Sequence, residues 1–175
     1  MSRAAGQRVH LRPLRRDDGD RTWRCSMTRS SEIRRAEERD AEGIAAILRG
    51  MGKENVGLEG EFDAARIRAW LKRLGDDGAI FVAMDGSIPV AFGALDFDTA
   101  TPDTGLLGVW VLPDHRRRGL ATDLAESLIE FAREKGYRRI RGRLPEGNEP
   151  ALSFLSAIGA MVPLRNPNMT FELPL

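Results

Sequence analysis

The fold of this chain is decided by the stretch Val109–Thr122, which reads VWVLPDHRRRGLAT. An apolar, β-branched run ends at Pro113, a basic loop follows, and Gly119 precedes a helical pattern of apolar residues from Leu120 to Lys135. Because strands favour β-branched runs and helices show a 3.6-residue apolar period, this order predicts a strand, a loop and a long helix.

The loop has the composition of a phosphate site. The first amides of a helix have no partner within the helix, and the helix dipole places partial positive charge there, so phosphate binds readily. Gly119 lets the backbone approach a phosphate without an intervening Cβ, and the small Ala121 keeps the first helical turn open. The side chains of Arg116–Arg118 add positive charge. The sequence therefore predicts that the loop can hold a diphosphate.

These residues resemble a known family. The spacing Arg116-x-x-Gly119-x-Ala121, placed after a Val-x-Pro, is similar to the Arg/Gln-x-x-Gly-x-Gly/Ala signature of the GNAT superfamily of N-acetyltransferases. The likeness covers about residues 31–175 and continues through two further stretches, Gly136-Tyr137-x-x-Ile140 and Asn148-x-x-Ala151-Leu152-x-Phe154-Leu155-x-x-x-Gly159.

The resemblance implies a fold. It predicts a single α/β domain with a central mixed, mostly antiparallel sheet that is flanked by helices and splayed between its fourth and fifth strands. The pantetheine arm of the cofactor would lie in that cleft. The walls of the cleft would be Val109–Val111 on one side and Arg139–Arg143 on the other.

The resemblance also implies an activity, the transfer of an acetyl group from acetyl-CoA, used as a co-substrate, directly to a primary amine. The backbone amide of Val111 would stabilise the negative charge that develops on the thioester oxygen. By resemblance, Asn148 near the start of the last helix would hydrogen-bond the cofactor arm. The full set of implied cofactor contacts is Val109, Trp110, Val111, Arg116, Arg117, Arg118, Gly119, Leu120, Ala121, Thr122, Asn148 and Phe154.

Two positions depart from the family pattern, and both concern proton transfer. The position where many members carry a tyrosine acid is Leu155, and Tyr137 falls at the junction between a helix and a strand instead. The position of a common glutamate base aligns with Gly105. Among the nearby carboxylates Asp96 ranks first as a base by its register, because two others have the character of turn residues, namely Asp98 and Asp103.

Composition excludes several other classes of function. Lys and Arg number 27 against 26 Asp and Glu, so the formal net charge of +1 gives no global indication of a nucleic-acid partner. The single cysteine, Cys25, excludes an internal disulfide, and the two histidines, His10 and His115, form no metal-binding pattern, so no metal is predicted. Because no apolar run approaches the ~20 residues of a membrane span and no signal peptide is visible, the sequence predicts a cytoplasmic protein.

Residues 1–30 are rich in arginine and carry few periodic apolar positions. They predict a basic, loosely attached extension, with a nucleic-acid or membrane arm as the alternative. Two segments resemble the first strand of the family, Val9–Arg15 and Glu32–Ala36. The second is favoured because a helical pattern from Asp40 to Arg49 follows it, which places the catalytic domain at residues 31–175 and allows Met27 as a natural start.

The rest of the chain alternates strands and helices. Asp40 and Asp63 are predicted to cap two helices. Asp85-Gly86 predicts a hairpin between strands Ala79–Met84 and Ile88–Phe97. The remaining predicted elements are a polar turn with Pro102 and Gly105, a strand Leu106–Leu112, the helix Leu120–Lys135, a strand around Arg138–Arg143, a helix with Ala151, Phe154, Leu155 and Ile158 on one face, and a strand Met169–Leu173.

Two features have alternative interpretations. In the resembled fold, the helices and the loop between strands one and two overlie the acceptor site, so the segment Lys53–Phe62 is a candidate for substrate recognition whose carboxylates could attract an amine. Solvated loop charge is the favoured interpretation, because exposed acidic residues usually have no specific partner. His115 beside the loop suggests catalysis, whereas the aromatic ring that the family usually has at this position packs under the loop. Packing is the favoured interpretation.

The sequence leaves three functions to be distinguished. The first is the N-acetyltransferase described above; the second is an acyl-CoA-binding sensor or partner module with little turnover, suggested by Leu155 and Gly105. The third and least favoured is a nucleic-acid-associated protein that uses the arginine-rich N-terminus. The acceptor is not identified, and a homodimer is implied only by resemblance to many members.

Overall fold

The computed structural model describes residues 31–52, 58, 60–143, 149–161 and 170–175. Within them, six strands form one sheet in chain order: β1 (Glu32–Arg35), β2 (Ala79–Asp85), β3 (Ile88–Asp98), β4 (Thr101–Val111), β5 (Arg139–Arg143) and β6 (Thr170–Pro174). The helices are α1 (Ala41–Gly50), α2 (Ala64–Leu74), α3 (Leu120–Lys135) and α4 (Glu149–Ala157), with 3₁₀ turns at Glu38–Asp40 and Pro113–His115.

All neighbouring strands are antiparallel except β4 and β5, which are parallel. A parallel pair cannot be joined by a tight turn and needs a crossover, which α3 supplies here. The predicted mixed, mostly antiparallel α/β sheet is therefore confirmed, as is α3 with its predicted bounds.

The β4–β5 pairing is short. It runs from Thr104 opposite Arg139 to Leu107 opposite Gly142 and stops there, although β4 continues to Val111. Beyond that pair, β4 continues through Gly108–Val111 without a β5 partner among the described residues. This unpaired edge, which includes the predicted wall Val109–Val111, is here called the β4–β5 gap. The predicted second wall is corrected, because most of β5 is paired with β4 and only Arg143 lies beyond the last pair.

The first strand of the sheet is the second of the two segments considered for it. Glu32–Arg35 forms β1 beside β2, as favoured, whereas Val9–Arg15 lies outside the described residues. Asp40 precedes α1, but its side chain makes no cap hydrogen bond to that helix. Its carboxylate instead accepts from the Arg34 guanidinium at 2.7 and 2.8 Å and from the Glu37 amide at 2.8 Å, so the predicted capping role of Asp40 is wrong.

Other predicted ends are confirmed by local geometry. Asp63 caps α2 by accepting from the Arg66 amide at 2.8 Å, and Gly136 ends α3 with a left-handed φ of +82°. The Asp85-Gly86 hairpin forms as expected. The predicted turn with Pro102 and Gly105 is wrong, because β4 starts at Thr101 and a register shift between Phe97 and Asp98 leaves Pro102 unpaired. Proline is tolerated where no ladder hydrogen bond is needed.

The helices bury the two faces of the sheet separately. On the first, here called the α1–α2 face, helices α1 and α2 cover Ile80, Val82, Phe92, Ala94 and Trp110. On the opposite face, here called the α3 face, α3 and α4 cover Leu95, Leu107, Ile140, Phe171 and Leu173. Because successive strand residues point to opposite faces, this division assigns a face to every side chain of β4 and β5.

Candidate functional site

The loop between β4 and α3 has an unusual backbone. Arg117 has φ +61° and is the only non-glycine residue with a positive φ in the described part of the chain, and Gly119 has φ +84°. Residues other than glycine adopt this region at a cost, and such strain concentrates at binding sites. The chain therefore folds here into a tight turn directly in front of a helix.

The start of α3 presents its first amides to this turn. Asp123 is the first residue whose amide bonds back along the chain, donating to the Gly119 carbonyl at 3.0 Å. The amides of Leu120, Ala121 and Thr122 consequently have no acceptor within the helix, which is the geometry that binds phosphate. No neighbouring atom lies within 4 Å of the position that a Gly119 Cβ would occupy, so the space beside Gly119 is open.

The arginines of the loop have different partners. Arg116 donates from Nε to the Val111 carbonyl at 3.1 Å, and Arg118 donates to the Asp114 carbonyl at 3.1 Å. The Arg116 contact ties the loop to the end of β4, and the Arg118 contact lies within the loop, on its 3₁₀ turn. Arg116 thus links the predicted phosphate loop to the strand residue that was predicted to stabilise the thioester oxygen.

His115 packs between the loop and the β2–β3 hairpin. Its Nε2 lies 3.5 Å from Oδ2 of Asp85, and its side chain is 23% exposed. Its Nδ1 is buried and has no hydrogen-bond partner among the described residues. This position agrees with the packing interpretation and places the ring on the hairpin side of the loop.

The amide of Val111 points toward the gap between β4 and β5. Val111 is paired with Ala91, and the next amide, that of Leu112, donates to the Val90 carbonyl at 3.1 Å. This pattern makes Ala91 and Val111 a non-hydrogen-bonded pair, in which the amides and carbonyls of the pair point away from each other. The Val111 amide therefore faces away from β3, toward the β4–β5 gap.

Trp110 forms part of the floor of the α1–α2 face. Its ring stacks on Phe92 with centroids 4.7 Å apart and meets the Trp70 ring edge to face at 6.4 Å. A Cβ on Gly108 would lie 2.3 Å from the Trp110 ring, so the ring occupies the space where a side chain at 108 would be. Gly108 was missed in the sequence analysis, although a glycine inside an apolar strand commonly marks such a close approach.

Asp96, the predicted base, lies on the α1–α2 face opposite Leu106. Its Oδ2 accepts from the Trp70 indole at 2.9 Å, and both of its oxygens accept from the Arg73 guanidinium, with 3.0 Å for the contact at Oδ1. The hydrogen bond from this guanidinium to Asp96 raises the pKa of Arg73. Asp96 thus joins β3 to α2 through an ion pair and an indole hydrogen bond.

The two other candidate carboxylates, Asp98 and Asp103, lie near the turn that joins β3 to β4. Asp98 accepts from the Ala100 amide and the Thr101 hydroxyl, both at 2.9 Å, and these hydrogen bonds lower its pKa. It is the turn residue that the sequence predicted. Asp103 lies within β4 instead, with its carboxylate 4.0 Å from Arg139.

The two departures from the family pattern fall on the α3 face. A Cβ on Gly105 would lie 2.9 Å from Leu95, a member of the core under α3. A longer side chain at this position would therefore point away from the α1–α2 face. Leu155 is 4% exposed and packs in the same core, and the half-buried Phe154 lies beside it.

Tyr137 lies at the amino end of β5, away from the gap. It precedes the strand, and its hydroxyl donates to the Asp77 carbonyl at 2.8 Å; burial raises its pKa. At about 3.3 Å per strand residue, Tyr137 is roughly 16 Å along the chain direction from Gly142, where the gap begins. Tyr137 is thus placed to support the turn after α2.

Several predicted site residues fall outside the described residues. They include Asn148 and, within the segment Lys53–Phe62, residues 53–57 and 59. Leu58 and Phe62 are described, and both pack against the core of the α1–α2 face. The basic extension of residues 1–30 is outside as well.

No group of three or more histidine, cysteine, aspartate or glutamate side chains that could hold a metal ion occurs among the described residues. No helix within the described ranges is long and apolar enough to cross a membrane.

Comparison with solved structures shows the same fold. The Salmonella typhimurium protein yncA, solved with its cofactor acetyl-CoA, has a TM-score of 0.72 at 18% identity over 82% of this chain and 92% of its own. A ribosomal-protein-alanine N-acetyltransferase from Brucella melitensis has a TM-score of 0.71 at 20% identity, covering 82% of this chain and 99% of its own.

A third structure is a GNAT superfamily phosphinothricin acetyltransferase from Sinorhizobium meliloti in complex with acetyl-CoA, with a TM-score of 0.71 at 16% identity, covering 82% of this chain and 87% of its own. No curated protein sequence matches significantly. The model of the acetyltransferase (GNAT) family matches residues 42–160, which is more than half of the sequence. This chain therefore belongs to the acetyltransferase (GNAT) family.

Proposed function

We propose that this protein is an N-acetyltransferase that transfers the acetyl group of acetyl-CoA to a primary amine. One observation carries the proposal: Arg116 joins the loop before α3 to the end of β4. The loop has its turn at Arg117 and Gly119 and leads into the free first amides of α3, and at the end of β4 the Val111 amide faces the β4–β5 gap. A diphosphate site and an oxyanion donor thus lie at two ends of one continuous segment.

Acetyl-CoA fits the chemistry of this segment. The amides of Leu120–Thr122 and the charge of Arg116–Arg118 would hold the diphosphate. Val109–Val111 would contact the arm in the gap, and Asn148 and Phe154 would contact it from the side of α4. The bound thioester supplies an activated acetyl group. Structural relatives solved with acetyl-CoA support the assignment.

The protein's own contribution to the reaction is position and charge. The Val111 amide would donate to the carbonyl oxygen as negative charge develops there, an effect often worth about 3 kcal/mol per donor. Holding the amine beside the thioester supplies a further advantage without any covalent enzyme intermediate. The amine must be neutral to attack, and it loses a proton as the new bond forms.

The variant Asp96→Asn tests whether Asp96, the base predicted from the sequence, takes the proton of the amine or positions α2. Because Arg73 and Trp70 already bind both oxygens, we expect the substitution to act mainly through α2, which by resemblance overlies the acceptor site. The expected result is a three- to tenfold higher acceptor KM, the size of one or two weakened charged hydrogen bonds. The shape of the pH profile of kcat/KM should stay unchanged.

The control for this experiment is Asp76→Asn, at an exposed aspartate in the turn after α2. That variant should leave both kinetic parameters near their wild-type values. Loss of the acidic limb of the profile in Asp96→Asn alone would show instead that Asp96 takes the proton of the amine.

The acceptor is not specified by the fold. The names of two structural relatives point to acceptors as different as a ribosomal protein and phosphinothricin. The cytoplasmic location and the homodimer stay predictions.

A sensor that binds acetyl-CoA with little turnover is the second candidate. The observations that favour it are the burial of Leu155 in the core and the engagement of both Asp96 oxygens. The two candidates share the cofactor site and differ in proton transfer.

One pair of measurements tests both functions. Calorimetric titration with acetyl-CoA should show micromolar binding, and a thiol-release assay over a panel of amines should show amine-dependent release of CoA. Binding without release from any amine would favour the sensor. No binding of acetyl-CoA would overturn both proposals and direct attention to the arginine-rich N-terminus.

A further inference from the structure

Strand β5 places a row of arginines on the α1–α2 face. Ile140 is fully buried in the core of the α3 face, and a Cβ on Gly142 would lie 2.6 Å from the Phe171 ring on that same face. Since strand residues alternate, the intervening positions point the other way. These positions are Arg139, Arg141 and Arg143.

The first two arginines are neutralised by neighbouring carboxylates. Glu172 on β6 accepts from Arg141 Nε at 2.8 Å and lies 3.6 Å from Arg139. Arg139 also lies 4.0 Å from Asp103 on β4. These four groups form an alternating chain of charges across β4, β5 and β6, which satisfies the cations at the end of the sheet away from the gap.

Arg143 has no such partner. It is exposed, and no carboxylate among the described residues lies within ion-pair distance of its guanidinium. A guanidinium has five donors in a planar fork that matches the two oxygens of a carboxylate or phosphate. Arg143 is therefore a cation with donor capacity to spare beside two that are already paired.

Arg143 lies where its unpaired charge would face a bound acceptor. It is the first residue of β5 beyond the last β4–β5 pair, at Leu107 and Gly142, so it stands at the edge of the gap. Continuing the register, it lies level with Gly108, three residues or roughly 10 Å along β4 from Val111. On the same face, Leu106 is 40% exposed and offers an apolar surface beside it.

We propose that Arg143 binds an oxyanion group, a carboxylate or a phosphate, on the amine that this enzyme acetylates. The acceptor would then be a compact molecule with an amine at one end, an anionic group within reach of Arg143, and an apolar part against Leu106. The inference rests on the proposed acetyltransferase function, and it names the class of acceptor for that site.

The test compares matched acceptors that differ only in the anionic group. An amino acid, its carboxamide and an aminoalkyl phosphate are each titrated calorimetrically into the complex with CoA, and each is assayed for thiol release. For the wild type we expect about tenfold or greater preference for the better of the two anions over the carboxamide, the size of one charge-assisted hydrogen bond. Preference between carboxylate and phosphate identifies the source of the oxyanion.

Two variants and a control assign the preference to one side chain. Arg143→Gln should remove it, and Arg143→Lys should restore part of it, because lysine keeps the charge but loses the planar fork. Arg133→Gln, at an exposed arginine of α3, is the matched control and should keep the preference. Arg133→Gln should also bind acetyl-CoA with wild-type affinity, and titrating each Arg143 variant with acetyl-CoA separates any contact of Arg143 with the cofactor from its effect on the acceptor.

The outcomes distinguish the role of Arg143 from the acetyltransferase function on which it rests. Equal affinity of the wild type for the anionic and neutral acceptors, or an unchanged preference in Arg143→Gln, would overturn the role of Arg143. Anion-dependent acceptor binding without thiol release from any amine would uphold the Arg143 site and overturn the proposed transferase activity alone.

Discussion

Replacing Gly119 with valine is expected to weaken acetyl-CoA binding on the order of 100-fold. The φ of +84° at this position lies in the left-handed region, where a β-branched residue costs about 1–2 kcal/mol. A relaxed loop would also withdraw the α3 amides from the diphosphate, and the valine side chain would fill the open space beside residue 119. Titration calorimetry of the wild type and variant with acetyl-CoA measures the loss.

Gly136→Val provides a matched control at the other end of the same helix. Gly136 has φ +82°, and no atom lies within 4 Å of the position of its Cβ, so the backbone strain is equivalent. Both variants should lose about 1–2 kcal/mol in unfolding free energy, whereas only Gly119→Val should lose cofactor affinity. Equal affinities of the two variants for acetyl-CoA would contradict the assignment of the diphosphate to this loop.

Replacing Asp40 with alanine is expected to lower the free energy of unfolding by about 2–3 kcal/mol. The side chain of Asp40 is 6% exposed and that of Arg34 is 27% exposed, so the ion pair is largely removed from water. Removing the carboxylate leaves the Arg34 guanidinium and the Glu37 amide without these bonds. Urea unfolding measures the change, with the exposed Asp76→Ala as a control near zero.

The same ion pair has a signature in the pH dependence of stability. The hydrogen bonds from Arg34 lower the pKa of Asp40 in the folded protein below its value in the unfolded chain. Stability from this group is therefore complete above the unfolded pKa of about 4 and is lost as the pH falls through the folded pKa. The difference in unfolding free energy between wild type and Asp40→Asn should accordingly shrink below about pH 4. A difference in unfolding free energy that is constant from pH 6 to pH 3 would contradict a lowered pKa of Asp40.

Local signals predicted much of the fold. The bounds of α3 and the Asp63 cap agree with the structure, and the Asp85-Gly86 hairpin forms as predicted. Each depends on interactions within a few residues, namely a turn, a cap or a helical period, which the order of residues specifies directly. The predicted phosphate loop has the backbone and helix start that such a site requires.

The partners of polar side chains were not accessible to the same reasoning. Asp40 has the position and residue type of a helix cap, yet Arg34 on β1 and the Glu37 amide take its oxygens. Asp96 was ranked by register alone, and the two residues that bind it, Trp70 and Arg73, belong to a helix 26 and 23 positions earlier. No local pattern reports that α2 packs over β3 with these two side chains directed at one carboxylate.

Face and register are the other quantities that the sequence left open. The family's glutamate base aligns with Gly105 on β4, but a one-residue difference in a strand moves a side chain to the opposite face. The side chain at 105 would enter the core under α3, whereas Leu106 faces the α1–α2 side. By the same alternation, residue 142 faces the α3 side and Arg143 faces the α1–α2 side.

By itself, the sequence determined the order of elements, the family and the loop between β4 and α3, because glycines, caps and apolar periods act over short distances along the chain. Only the tertiary structure decided which strands pair, where the β4–β5 pairing ends, and which carboxylates and arginines neutralise one another. Those outcomes depend on contacts between distant segments, and their geometry is set by packing the helices on the two faces of one twisted sheet.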